Sequence, residues 1–364
     1  MHRTPIVFCL ILSLVAWPGF TQINVAQANQ KSDALLNKFL SGENIPGMAV
    51  TITLNDSVIY SKGFGYANLE KRTPVNPAQT RFRMASITKT MTAATIGRLV
   101  ELGKIELQKS PYYYLDSLPK KKFDFTIEQV GGHLAGLRRD ASTEKFTCDN
   151  SYGRKDFYQV FAADKLLFQP STDFQYSNYG FRLLGLVVEK ITGQSIVENH
   201  KKYIIDKIGL KNTIADSGVP DSLTATFYSM QSGKPVVAPC LDCNFRYAAG
   251  CYLSTSEDLA TLGNAYLFPG RILKKETLAN LIKSRHLADG RKTHYGFGFA
   301  IHTDVFNRLY YGHNGGYADM ARSSLAIYPQ RKLVIAILIN RSVEDLDSLI
   351  AELSNNYIVD PNKQ

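Results

Sequence analysis

An α+β fold, with an antiparallel sheet assembled from the two ends of the chain, is what this sequence predicts. Three observations carry that reading. Strand-like runs occupy residues 48–54 and 57–66 near the start and 295–303, 308–312, 320–328 and 332–340 near the end. Between about 84 and 290 the texture is instead helices and long loops. No internal repeat, low-complexity tract or linker separates independent modules, so the two ends are expected to pair around an inserted, mostly helical domain. The length of 364 residues suits about two compact domains. A composition of 45% hydrophobic and 20% charged residues excludes disordered and fibrous classes.

In chain order, the first segment reads as an export signal over 1–28. Arg3 supplies a positive region, residues 5–17 an apolar run, and Ala26-Gln27-Ala28 a small-x-small cleavage site. Pro18-Gly19 breaks the run before the roughly 20 residues a membrane span needs, so no stable membrane anchor is expected after processing. The localisation this implies is periplasmic or secreted. Residues 31–41 carry Leu35, Leu36, Phe39 and Leu40 at helical spacing, and Asn55-Asp56 joins the next two runs as a hairpin turn. The domain expectation is 29–83 with 291–364 as the sheet, 84–290 as the helical insertion, and the active site between them. A helix over 343–357 closes the chain.

Cleavage after Ala28 leaves four cysteines, Cys148, Cys240, Cys243 and Cys251. In an oxidising compartment they are disulfide candidates, with three possible connectivities. The Cys240-x-x-Cys243 spacing has no second close pair beside it and no nearby histidine, so no metal site is expected. The net charge of +10 fits an anionic envelope surface, yet the longest basic run is only Lys120–Lys122 and no nucleic-acid motif is present. Nucleic acid is therefore not an expected partner.

Candidate chemistry begins at Ser86-Ile87-Thr88-Lys89, which opens a segment of nearly all-round apolar character. Three residues of helix put Ser86 and Lys89 on one face, so a lysine amine can take the serine proton if burial and nearby cations depress its pKa. The bland alternative is a helix cap with Lys89 in solvent. Ser117-x-x-Lys120 is followed by a helix-disfavouring proline context, and Ser142-x-x-Lys145 lies in a polar loop. Tyr176-Ser177-Asn178 precedes an apolar helix over about 180–190. Its phenol can act as a base if ammonium groups hold it as phenolate, and as a donor to a leaving group otherwise, while Asn178 offers an amide to hold Lys89 or substrate. Tyr66–Asn68 has the same pattern on the hairpin. His313-Asn314-Gly315-Gly316 lies at a predicted strand end, where glycines admit substrate to the backbone and an inward amide N–H can join Ser86 N–H in an oxyanion hole. His294-Tyr295-Gly296 has the H-x-G spacing without that context.

Together these motifs resemble the serine β-lactamase and penicillin-binding protein superfamily, in the branch of class C β-lactamases, D-alanyl-D-alanine carboxypeptidases and esterases. S-x-x-K, Y-x-N and H-x-G fall in that order at Ser86, Tyr176 and His313. Framework segments such as Phe82–Ala85, Gly132–Leu137 and Ser254–Leu259 extend the resemblance over nearly all of the mature chain. It implies a β-lactamase/transpeptidase-like fold and an acyl-enzyme on Ser86. Lys89 and Tyr176 would move protons, and Asn178, His313, Gly315 and Gly316 would face the substrate. No metal or organic cofactor is implied. Small esters, amides or D-amino-acid peptides are the implied substrates, peptidoglycan fragments among them. Two alternatives are a β-lactamase proper and a catalytically silent sensor or scaffold. Where the family has a K-T-G lysine this chain has His313, so strong lactam hydrolysis is not expected. Cys251 stands where a second glycine is common after Gly250, and Ala135 where serine is.

Overall fold

The computed structural model describes residues 23–140, 148, 152–317 and 320–358, so the expected signal segment up to residue 22 and the Ser142–Lys145 pair lie outside the described residues. Seven strands form one antiparallel sheet: β1 (Gly47–Leu54), β2 (Ser57–Asn68), β3 (Thr73–Pro74), β4 (Ala300–Thr303), β5 (Leu309–Tyr317), β6 (Ala321–Tyr328) and β7 (Leu333–Ile339), in the spatial order β3-β2-β1-β7-β6-β5-β4. The chain ends meet where β1 pairs with β7. Asn55 and Asp56 turn the β1–β2 hairpin with φ of 49° and 72°, the left-handed pair that a primed turn requires and that these two residue types tolerate.

The continuous apolar runs of β1 and β7 follow from burial on both faces. Met48, Val50, Ile52, Ile335 and Ile337 pack towards the terminal helices α1 (Val25–Gly42) and α5 (Asp347–Tyr357). Ala49, Val334, Ala336 and Leu338 face the inserted domain with Leu259 and Leu262 of α4 (Ser256–Leu267). Thr51 and Thr53, on that second face, bond Ser256 and Asn264 at 2.8 Å each, so their hydroxyls are not left unpaired. A Cβ at Gly263 would lie 2.5 Å from Val334, which is why helix and sheet can approach this closely. Within the inserted domain the central helices are α2 (Thr88–Glu101) and α3 (Asn178–Thr192), the latter closed by Gly193 in the left-handed region.

Several boundaries differ from expectation. The helix expected over 31–41 opens at Val25, capped by the Asn24 side chain accepting the Gln27 N–H, so the structured chain begins ahead of the 28/29 boundary and Ala28 is buried in it. The region 84–290 also holds strands: Tyr252–Ser254 pairs with both Phe82–Arg83 and Ile214–Ala215, and Tyr228–Gln231 pairs with Lys234–Val237. The 308–312 run continues to Tyr317, placing His313–Gly316 inside β5 and not at a strand end, because Gly315 and Gly316 still pair with Ser323 and Arg322. Among the described residues, no helix is long and apolar enough to cross a membrane.

Candidate active site

Ser86 sits in a tight 3₁₀ turn, Ala85–Ile87, immediately ahead of α2. Such a turn brings residues i and i+3 into line, which sharpens the Ser-x-x-Lys spacing. Ala85 holds a φ of +46° while buried, a strained conformation of the kind that clusters at functional sites. The turn is held from the sheet side: Ser323 Oγ donates to Met84 O at 2.9 Å, and a Cβ at Gly315 would lie 2.5 Å from that same oxygen. Glycine at 315 is thus a condition for β5 lying against the Ser86 turn.

Lys89 is fully buried, and its Nζ lies 3.1 Å from Ser86 Oγ, 2.7 Å from Asn178 Oδ1 and 2.7 Å from Ala249 O. Burial pushes its pKa well below the usual lysine range; Asp140 opposes that push, and Arg182 and Arg139 reinforce it. A neutral amine has two N–H groups and one lone pair. With both N–H groups given to Asn178 and Ala249, the lone pair is left for the Ser86 hydroxyl proton. Asn178 is itself fixed, since its Nδ2 donates to both oxygens of Asp140 at 3.0 and 3.2 Å.

Tyr176 places its ring centroid 4.9 Å from Lys89 Nζ. Burial raises its phenol pKa, although a hydrogen bond with Ser86 pulls the other way, so the phenol stays protonated and the phenolate alternative is not favoured. His313 is buried, with its pKa pushed down to about 3 by desolvation and by Lys89. The Asn314 carbonyl, 2.5 Å from Nδ1, can only accept, so Nδ1 carries the proton and Nε2 accepts from the Tyr295 hydroxyl at 2.9 Å. His313 is thus a neutral, internally bonded group and not a cation facing substrate. Behind it, the His133 ring lies 4.5 Å from Tyr176 and 4.6 Å from Tyr295, and His133 Nδ1 accepts the Ser177 N–H at 3.0 Å.

A cavity of about 200 Å³ is lined by Ser86, Arg139, Asp140, Asn178, Gly316 and Tyr317, among others. A larger open hollow of about 520 Å³, walled by Arg154, Glu189 and Lys190, shares no residue with it. The four cysteines pair as Cys148–Cys240 and Cys243–Cys251, so the C-x-x-C is divided between two bridges. Cys251 adopts a φ of +64°, a conformation natural to glycine, and its N–H donates to Tyr317 Oη at 2.7 Å. No group of three or more potential metal-ligating side chains occurs among the described residues.

The structure brings Ser86, Lys89, Tyr176, Asn178, Gly315 and Gly316 together and turns His313 inward. Tyr66–Asn68 lies at the end of β2, where Tyr66 O accepts from Asn340 and Asn68 bonds Thr226. Sequence reasoning missed Asp140, Arg139, Arg182, the Ala249 carbonyl and Tyr295. No spacing rule marks the first four, whereas Tyr295 sat within the H-x-G triplet that context had set aside.

A serine whose proton faces a buried lysine, beneath a seven-stranded sheet and beside a helical insertion, defines the class of serine acyl-transfer folds. The chain belongs to the beta-lactamase family, whose sequence profile matches residues 32–354 and whose fold generally carries serine hydrolases. It is 27% identical over 329 residues to the serine beta-lactamase-like protein LACTB, mitochondrial, of Homo sapiens, covering 71% of this chain and 60% of the human protein, less than two thirds of that relative's length. Among solved structures it resembles the octameric penicillin-binding protein homologue from Pyrococcus abyssi, with a TM-score of 0.77, 25% identity, and coverage of 90% of this chain and 76% of that one. A class C beta-lactamase superposes with a TM-score of 0.78 at 19% identity, covering 93% and 99% of the two chains, a likeness of fold.

Proposed function

We propose that this protein is an exported serine hydrolase that forms an acyl-enzyme on Ser86 and cleaves small esters, amides or D-amino-acid peptide bonds. The observation that carries the reading is Lys89 Nζ, fully buried and 3.1 Å from Ser86 Oγ. Lys89 takes the hydroxyl proton as Ser86 Oγ attacks the carbonyl carbon, and the Ser86 and Gly316 N–H groups, both on the cavity wall, hold the oxyanion. The proton returns to the leaving oxygen or nitrogen through the neutral Tyr176 phenol as the acyl bond breaks. Water, its proton taken by Lys89, then releases the acid and restores Ser86. Export is supported by the apolar run over residues 5–17 and by the two disulfides. The neutral, internally bonded His313 argues against a β-lactamase proper, and a filled Ser86–Lys89–Tyr176 set argues against a silent scaffold.

The test is hydrolysis of a short p-nitrophenyl acyl ester beside a chromogenic cephalosporin, with mass analysis of the quenched protein. Ester turnover should fall by about 1000-fold or more in Ser86→Ala and Lys89→Ala. The acyl mass should appear on the peptide containing Ser86, and the cephalosporin should be turned over poorly. Undiminished turnover in Ser86→Ala would sink the proposal.

A further inference from the structure

Position 313, where the resemblance puts a fixed cation, offers substrate no charge, yet the cavity beside Ser86 is basic. Arg139, Arg182 and Arg246 line it with a single carboxylate, Asp140. Both oxygens of that carboxylate already accept the Asn178 amide, and Arg182 lies 3.7 Å away. Arg182 and Arg246 are buried in the wall, whereas the Arg139 side chain is 69% exposed at the rim. Its Nε is 3.6 Å from Asp140, too long for a direct hydrogen bond, and its guanidinium carbon lies 5.7 Å from the centroid of the Tyr176 ring. A planar guanidinium beside the reacting groups, with its hydrogen-bonding fork not committed to Asp140, matches a carboxylate in bidentate geometry.

We infer that Arg139 is a specificity-determining residue that receives a carboxylate carried by the substrate, so the enzyme selects anionic esters or amides over neutral ones of equal size. This deepens the serine-hydrolase reading and rests on it. The cation that recognises the acid is thus displaced from β5 to Arg139, beside Asp140.

The experiment compares p-nitrophenyl hemiglutarate with p-nitrophenyl valerate, equal in chain length and different in charge, in the wild type, Arg139→Ala, Arg139→Lys and Arg139→Glu. Arg331→Ala, an exposed arginine in the turn before β7, is the control. The ratio of kcat/KM for anionic over neutral ester should be about 10 in the wild type and shrink as salt is raised. It should fall about 5- to 10-fold in Arg139→Ala, chiefly through KM, survive in part in Arg139→Lys, invert in Arg139→Glu, and hold in Arg331→Ala. A wild-type ratio near one, or a ratio unmoved in Arg139→Ala and Arg139→Glu, overturns the inference while Ser86-dependent turnover of the neutral ester leaves the hydrolase reading standing. If neither ester is turned over above the Ser86→Ala background, both fall.

Discussion

Acid should unfold this protein well before its carboxylates titrate, because it buries histidines in the neutral form. His200 shows the reason. Thr92 Oγ1 donates to Ala248 O at 2.7 Å and lies 3.0 Å from His200 Nε2. A hydroxyl has one proton, so Nε2 must be the donor in that second contact, and Nδ1 then accepts from the Tyr252 hydroxyl at 3.0 Å. Burial accordingly pushes His200 down to about 3, His313 is likewise held at about 3, and His133 lies well below its usual value. In the unfolded chain each titrates near 6.5, so the unfolded state binds protons that the folded state refuses. Stability is therefore full above about pH 6.5 and is lost as pH falls towards the folded values. At about pH 5 the loss is RT ln(1 + 10^1.5), about 2 kcal/mol for each of His200 and His313 and about 4 kcal/mol for the two, with His133 adding in the same direction, a large share of the 5–15 kcal/mol typical of a domain. Urea unfolding followed by circular dichroism, at about pH 7.5 and about pH 5, measures it. His200→Gln, whose amide can keep a donor for Thr92 and an acceptor for Tyr252, should be less pH-dependent than the wild type by about 2 kcal/mol over that interval. An equal loss in both proteins would refute the reasoning.

Other outcomes follow from the same contacts. Asp140 raises the Lys89 pKa, so Asp140→Asn should lower it further and move the acid limb of kcat/KM to lower pH; a shift to higher pH would contradict the assignment of Lys89 as base. Gly315→Ala forces a methyl to within 2.5 Å of Met84 O and should both lower the thermal midpoint and cut ester turnover more than about 10-fold, measured on the same preparation. Reduction with dithiothreitol should destabilise through two loops of unequal size. The Cys243–Cys251 closure, separation 8, is worth about 2.5 kcal/mol and the Cys148–Cys240 closure, separation 92, about 4.5 kcal/mol, to be checked by urea midpoints of Cys→Ser pairs.

The residues divide by the range of the interaction that governs them. The Asn55-Asp56 hairpin, the strand-like runs of β1 and β7 and the Ser86–Lys89 pair are all local in sequence. Turn dihedrals, a period of two and an i,i+3 alignment are consequences of backbone geometry, so the sequence alone specified them. Pairing of the chain ends was legible too, because strand-like runs at both ends flank a helical middle with no linker or repeat that would separate modules. The protonation states were not legible. Burial pushes the Lys89 amine towards its neutral form, and α3 brings Asn178, and the loop before Cys251 the Ala249 carbonyl, to hold it beside Ser86. His313 carries no charge because burial and Lys89 disfavour its cation, and the Tyr295 hydroxyl donates to its Nε2. The two disulfides and the place of Arg139 likewise depend on which loops meet. These are desolvation and long-range contact effects, set by what surrounds a group in space, and only the tertiary structure decided them.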